Sequence, residues 1–521
     1  MRRSQSTVGR ILCVANQKGG VGKTTTAINL AVALAKSGRR TLLVDLDPQC
    51  NATTGLGQTP TESHPLVSRR PLRDSLCTTR CRGLEILPGS RSFQDVEVLA
   101  SGEASQSATL SQHLASGLSA YDFVLIDCPP SLGQLTQSAL ASSTEVLMPI
   151  QCEYFAMEGL AQMIEVIRRV MDGQASRLRF GGIVLTMSNA ATANKVLVWA
   201  RGSDGSLTFV ASVATGGKGT GRALGNQGGL TLSADGSWLY VVNAGSDSVS
   251  VFRVAGTTLT LTDTEPSRGD KPISVTAHGS LVFVLNAGGR GNIRGFSRDA
   301  SGRLTLVEAS KRPLSGGATK PVQIGFSPSG GYAFVTERAT DRLTRYAISA
   351  SGAAGAPKWT TSAGEEPFGF AFTNNGTLVV SEAGNHVEDG SSASSYRLGV
   401  GGAPTTVSGA VPTTETAACW TAITPDGRFA YVTNTPDNSI SGFSIGANGS
   451  LTMLDADGRT ALTGAGSLPI DLAASSDGNY LYVLTAGTHR IAVFAIGANG
   501  ALSARPGVSG LPNAANGVAV R

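Results

Sequence analysis

Charged residues make up only 15% and aromatic residues only 6% of this 521-residue sequence. Lys and Arg number 42 against 37 Asp and Glu, a net +5 that is too mild to mark a nucleic-acid binder by itself. No apolar run approaches the roughly 18 residues that span a bilayer. The apolar stretch at 11–15 is too short for an export signal and runs straight into a polar loop. No membrane association is therefore expected. The seven cysteines are an odd number, and only Cys77 and Cys81 lie close, with no second pair to complete a zinc site. Reduced, structural thiols and a cytoplasmic location are the expectation. What is present in quantity is apolar residues, at 41%, and glycine, at 65. The first excludes a largely disordered chain. The second lacks collagen's every-third-residue period and so implies many tight turns. The length exceeds what one core fills, so at least two domains are expected.

The composition changes near residue 187. Residues 1–187 hold 16 glycines and no tryptophan; residues 188–521 hold 49 glycines and all four tryptophans, Trp199, Trp238, Trp359 and Trp420. The first part alternates strand-like apolar runs with longer helical stretches, whereas the second has short strands at regular spacing.

In the first part the strand ILCVAN (11–16) leads into QKGGVGKTTT (17–26) and then a helical stretch, AINLAVALAKSG (27–38). Strand, glycine loop and helix N-terminus make a phosphate cradle, because bare backbone N–H groups and the helix dipole both favour an anion. Gly19, Gly20, Val21, Gly22, Lys23, Thr24 and Thr25 are the cradle residues. Lys23 is placed to reach the β and γ phosphates, and the Thr24 hydroxyl to bind Mg²⁺. The usual first glycine of such loops is Gln17 here, and a second lysine, Lys18, stands inside the loop. Two more strands end in carboxylates where ligands bind in such sheets: TLLVDLDPQCN presents Asp45 and Asp47, and YDFVLIDCPPS presents Asp127. One carboxylate can hold Mg²⁺ through water and another can orient the attacking water. The alternative for any one of them alone is a cap on the next helix.

KGGVGKTT, DLDPQCN, IDCPPS and PIQCEYFAMEGL (149–160) resemble the ParA/Soj partitioning ATPases, relatives of MinD, in order over about 7–187. The resemblance implies that Lys18 reaches the nucleotide of a partner subunit in an ATP sandwich homodimer, and that Lys23 and Thr24 bind phosphate and Mg²⁺. It also implies that Asp47 supports hydrolysis, that Asp127 is the Walker B acid, and that a ParB-like protein stimulates turnover. With Thr24 and Asp127, the strand-end Asp45 is a candidate Mg²⁺ residue. The family continues for about another quarter of its length beyond this point. That portion carries part of the adenine pocket and the basic residues that bind DNA, so weak or absent DNA binding is expected here. The arginines that remain (Arg69, Arg70, Arg73, Arg80, Arg82 and Arg168, Arg169, Arg177, Arg179) read as solvated surface.

The second part is a repeat. Turn glycines 236, 279, 330, 376, 427 and 478 are spaced by 43, 51, 46, 51 and 51 residues, each followed by a strand such as LYVVN or AYVTN. Four short strands per unit at this period predict the blades of a β-propeller. Six units are complete. LPNAANGVAV (511–520) supplies a first strand with nothing after it, and 194–213 supplies third and fourth strands with no first strand before them. One blade closed by both ends gives seven. The fold class is thus multidomain: a truncated α/β P-loop domain with a parallel sheet, 7–182, followed by an all-β seven-bladed propeller, 183–521. Residues 183–189 are claimed by both domains, as the strand GGIVLTM (181–187) of the parallel sheet and as the propeller strand VLTMSNA (184–190). Residues 184–189 are assigned to the propeller, because without them the closing blade would be left with unpaired strand edges, and the parallel sheet is expected to end with EVLMPI (145–150).

The blades resemble the lactonase-like propellers, the group with 6-phosphogluconolactonase. The His-rich motif of those enzymes does not occur, and His278, His386 and His489 are scattered, so lactonase activity is expected to be slight or undetectable. Asn243, Asn286, Glu337, Glu382, Asn434 and Thr485 end the second strands as a repeated polar ring. Turn capping accounts for it; Glu337 and Glu382, in adjacent blades, are the acid–base alternative if they face one pocket. Two functions follow. The first is a ParA-like MgATPase carrying a propeller. The second is a propeller hydrolase or binding module with a non-functional ATPase remnant.

Overall fold

The computed structural model describes residues 10–62, 64, 72–91, 120–131, 133–149, 166 and 182–521. They fall into two compact units divided after residue 180. Arg69, Arg70, Arg168, Arg169, Arg177, Arg179 and the stretch 150–160 lie outside the described residues.

The first unit is built on strands that read as continuous apolar runs because both of their faces are covered. In chain order they are β1 (Arg10–Val14), α1 (Lys23–Lys36), β2 (Thr41–Asp45), α2 (Asn51–Gly55), β3 (Cys77–Thr78), β4 (Leu84–Leu87), β5 (Phe123–Asp127), α3 (Gln134–Ser142) and β6 (Glu145–Leu147). The sheet order is β3-β4-β2-β5-β1-β6. Every pairing is parallel except that of the short edge strand β3 with β4. The first helix begins at Lys23, four residues before the apolar pattern that signals it, because Gly22 adopts φ 84° and accepts the Thr26 N–H at 2.8 Å. The loop lysine and both threonines therefore form its first turn. The small residues Ala27, Ala31 and Ala35 recur every fourth position on its buried face and let the helix lie close on the sheet. It stops where Gly38 turns left-handed at φ 85°.

The second unit is seven four-stranded antiparallel blades. Six are contiguous in the chain, and their inner strands begin at Leu230, Pro272, Pro321, Pro367, Ala418 and Pro469. Two of them add a two-residue strand, Arg312–Pro313 or Ala461–Leu462. The seventh combines the C-terminal strand Asn516–Val520 with Ile183–Met187, Lys195–Arg201 and Leu207–Ala214. Val184 pairs with Val520 on one side and with Trp199 on the other. The contested segment is thus a propeller strand, and the closing blade has no gap.

All six turn glycines have positive φ, from 58° to 88°, a conformation that costs other residues about 1 kcal/mol or more. In three turns the preceding aspartate caps the loop, as Asp235 does in accepting the Ser237 N–H at 3.1 Å. Tyr431 and Tyr482, on second strands, are fully buried and tie blade to blade: Tyr431 donates to Gly500 O at 2.7 Å and Tyr482 to Gly205 O at 3.0 Å. A second recurrent tie joins a turn to the next inner strand at three places. Asp247, Asp341 and Asn438, all left-handed, accept the N–H of Lys271, Glu366 and Leu468 at 2.6, 2.7 and 3.0 Å.

Candidate functional site

The glycine loop is open where a phosphate cradle must be. A Cβ placed at Gly19, Gly20 or Gly22 would meet nothing within 4 Å, and Gly20 and Gly22 hold φ 76° and 84°. Their N–H groups thus sit at the N-terminus of α1 with no Cβ to obstruct an approaching anion. Lys23 is 7% exposed, and its ammonium donates to Lys18 O at 3.0 Å. Burial lowers its pKa, while Asp127 and Asp47 oppose that shift.

The three carboxylates differ sharply in what occupies them. Asp45 and Asp127 are direct register partners at the ends of β2 and β5, and both are fully buried. Asp45 is saturated: Oδ2 accepts Thr53 N–H at 2.9 Å and Thr53 Oγ1 at 2.6 Å, and Oδ1 accepts Asp47 N–H at 3.2 Å. Asp47 accepts the Gln49 N–H at 2.9 Å, which fixes the turn after β2. Among the described residues neither oxygen of Asp127 has a complete hydrogen bond, although the Thr24 hydroxyl is near enough to favour its ionised form. Burial pushes the Asp127 carboxyl up to about 7, the neighbouring Asp45 and Asp47 add to this, and Lys23 opposes it. A buried, unpartnered carboxyl beside an ammonium and a hydroxyl fits a hard cation with oxygen ligands. The open glycine loop fits the phosphates beside it. MgATP therefore suits the residues present.

The propeller's polar ring is satisfied within the propeller, both inside a blade and from its neighbour: Asn243 Oδ1 accepts Asn194 Nδ2 at 3.0 Å and Thr215 Oγ1 at 2.7 Å from the closing blade. Asn243 Nδ2 donates to Ser248 and Ser250 at 3.2 and 2.8 Å, and Asn434 to Ser439 and Ser441 at 3.0 and 2.8 Å. At Glu382 the two matching serines, Ser392 and Ser394, reverse direction and donate to Oε2 at 2.6 and 2.9 Å. Ser362 Oγ and Gly364 N–H both reach its Oε1 at 2.8 Å. A hydroxyl donates and accepts equally well, so the ring position takes amide or carboxylate. Glu337 is held separately, by Ser315 N–H at 3.0 Å, the Ser315 hydroxyl and Thr340 Oγ1 at 3.3 Å. The two glutamates are fully buried and share no partner among these bonds. His278 ends an inner strand, while His386 and His489 lie in turns at the opposite end of their blades.

Several residues carry no signal strong enough to be found in the sequence. Asn16 braces the start of the loop, donating to Pro149 O at 2.8 Å and accepting the Lys18 N–H at 3.0 Å. Thr53 saturates Asp45. In the propeller, Asn226 and Gln227 precede the first inner strand yet bond to distant blades. Asn226 O accepts Trp420 Nε1 at 2.7 Å, and Gln227 exchanges bonds of 2.7 and 3.1 Å with Thr421. Glu366 stands 3.4 Å from Arg338 and 3.6 Å from His386. A polar residue just past a buried strand was the only available signal for Asn16; nothing local marks the others.

The family "AAA domain" matches residues 9–180, and "Lactonase, 7-bladed beta-propeller" matches 192–318 and 319–506, more than half of the chain. The chromosome partitioning protein ParA of Myxococcus xanthus is 46% identical over 207 residues, covering 38% of this chain and 73% of its own length. The chain belongs to the ParA/Soj ATPases by its first unit and to the seven-bladed lactonase propellers by its second. The sporulation initiation inhibitor protein Soj of Bacillus subtilis is 40% identical over 190 residues, covering 36% of this chain and 75% of its own. For the propeller, a putative 6-phosphogluconolactonase from Bacteroides uniformis superposes with TM-score 0.52 over 66% of this chain and all of its own, at 18% identity. That likeness shows the fold alone. Among the described residues, no helix is long and apolar enough to cross a membrane.

Proposed function

We propose that the ParA/Soj-type unit binds and hydrolyses MgATP and that the propeller is carried as a partner-binding module. The observation that carries this reading is the buried, unpartnered Asp127 carboxyl beside Lys23 and the open loop of Gly19, Gly20 and Gly22. In it, Lys23, Thr24 and the N–H groups from Gly19 to Thr25 hold the phosphates. Thr24 and Asp127 hold Mg²⁺, with Asp45 behind them keeping the turn to Asp47 in place. The metal supplies charge neutralisation on the phosphates when bound. Asp47 is assigned to hydrolysis and Lys18 to the nucleotide of a second subunit in a homodimer. A ParB-like protein is the proposed stimulating partner, and weak DNA binding is part of the same reading. The saturated hydrogen bonding of Glu337 and Glu382 supports a non-catalytic role for the propeller ring.

The test is MgATP binding and turnover by the purified full chain with Lys23→Ala beside it. Binding by the wild type and its loss in the variant are expected. Equal, negligible binding by both refutes the reading.

A further inference from the structure

Lys18 is gripped through its main chain on both sides. Its N–H donates to Asn16 Oδ1 at 3.0 Å, and its carbonyl accepts the Lys23 ammonium at 3.0 Å. Asn16 in turn spans two elements. Its Nδ2 donates to Pro149 O at 2.8 Å, just beyond β6, and the preceding Ala15 N–H donates to Leu147 O at 3.1 Å. The Asn16 side chain sits in a 9%-exposed site, so these bonds are shielded from water. C-terminal to Lys18 come Gly19 and Gly20, both exposed, with open space where side chains would stand. Glycines add no side chain to fix the neighbouring peptide, so the bonds made to the Lys18 peptide itself bear directly on how Lys18 leaves the loop.

We infer that Asn16 is a positioning residue for Lys18. Its amide fixes the Lys18 peptide against the exit of β6 and so sets the direction in which the lysine is presented. The inference rests on the reading that Lys18 acts on nucleotide. Asparagine suits the task because one side chain supplies both the donor for Pro149 O and the acceptor for Lys18 N–H. Alanine removes both. Aspartate keeps the acceptor and loses the donor. If the presented conformer becomes a minor one, the rate falls by the fraction lost while the phosphate contacts of the loop remain.

The test uses the full chain with Asn16→Ala and Asn16→Asp. In nucleotide-free protein, hydrogen exchange at the Lys18 amide is expected to speed up about tenfold in Asn16→Ala, equivalent to one hydrogen bond of about 1.4 kcal/mol. It should stay near wild type in Asn16→Asp. With MgATP, Asn16→Ala is expected to lower kcat about tenfold. Affinity for a fluorescent ATP analogue should change by less than about threefold, because Lys23, Thr24 and Asp127 are untouched. Wild-type exchange and wild-type kcat in Asn16→Ala overturn the inference and leave Asn16 as a strand-end cap. So does a loss of affinity as large as the loss of kcat. A wild type that binds no nucleotide overturns the reading beneath it, and the inference with it, whatever the Lys18 amide shows.

Discussion

Asp471 lies in the seam where the sixth blade meets the C-terminal strand that closes the propeller, and it is 3% exposed. Its oxygens accept Leu472 N–H at 2.8 Å and Val518 N–H at 3.0 Å. Burial outweighs both bonds and pushes its carboxyl up from 3.8 to about 8. A raised carboxyl pKa means that the folded state holds a proton that the unfolded state has released between those two values. The stability contribution is therefore complete below about pH 4 and is lost as pH rises towards 8, at about 1.4 kcal/mol per pH unit. Over pH 5 to 8 the wild type should lose about 4 kcal/mol from this group. Asp471→Asn removes the titration but turns an amide donor towards one of the two N–H groups, which costs about 1–2 kcal/mol at every pH. The variant is thus less stable than wild type at pH 4 and more stable at pH 8, by about 3–4 kcal/mol. Urea unfolding followed by tryptophan fluorescence isolates the effect, since all four tryptophans lie in the propeller part of the sequence. Taking the difference between the two proteins cancels the other titrating groups. A difference that stays constant from pH 4 to pH 8 would refute the reasoning.

Two further outcomes follow from the same geometry. Glu382→Gln replaces an acceptor of five bonds by a group with one acceptor oxygen, so the propeller should lose about 2–4 kcal/mol in the same tryptophan-monitored unfolding. An unchanged midpoint would show that the serine cage does not hold this residue. Asp127, pushed up to about 7, must be ionised to hold Mg²⁺. Mg²⁺-dependent nucleotide affinity should therefore weaken about tenfold per pH unit below 7, and Asp127→Asn should flatten that slope, as read by titrating a fluorescent nucleotide at pH 5.5 to 8. An equal slope in both proteins would assign the pH dependence elsewhere.

Local patterning accounts for much of the nucleotide loop and of the propeller repeat. The loop from Lys18 to Thr25, the strand-end placement of Asp45 and Asp127 with Asp47 just beyond, and the turn glycines from Gly236 to Gly478 follow from residue type and spacing. Each rests on backbone conformation that only certain residues adopt, or on the order of strand, loop and helix. Sevenfold closure was also legible, because unpaired strands at the two ends of one repeat array have only each other to pair with. The tertiary structure decided the rest. It made Asp45 a saturated anchor and left Asp127 open, a difference set by Thr53, eight residues from one and distant from the other. It turned Glu337 and Glu382 into caged residues by bringing hydroxyls around each, Ser315 and Thr340 at the first and Ser362, Ser392 and Ser394 at the second. It joined Asn16 to Pro149, and Gln227 to Thr421, across 133 and 194 residues. The physical reason is range: backbone preference and hydrophobic period act within a few residues, whereas desolvation and hydrogen-bond satisfaction depend on neighbours that only the folded chain supplies.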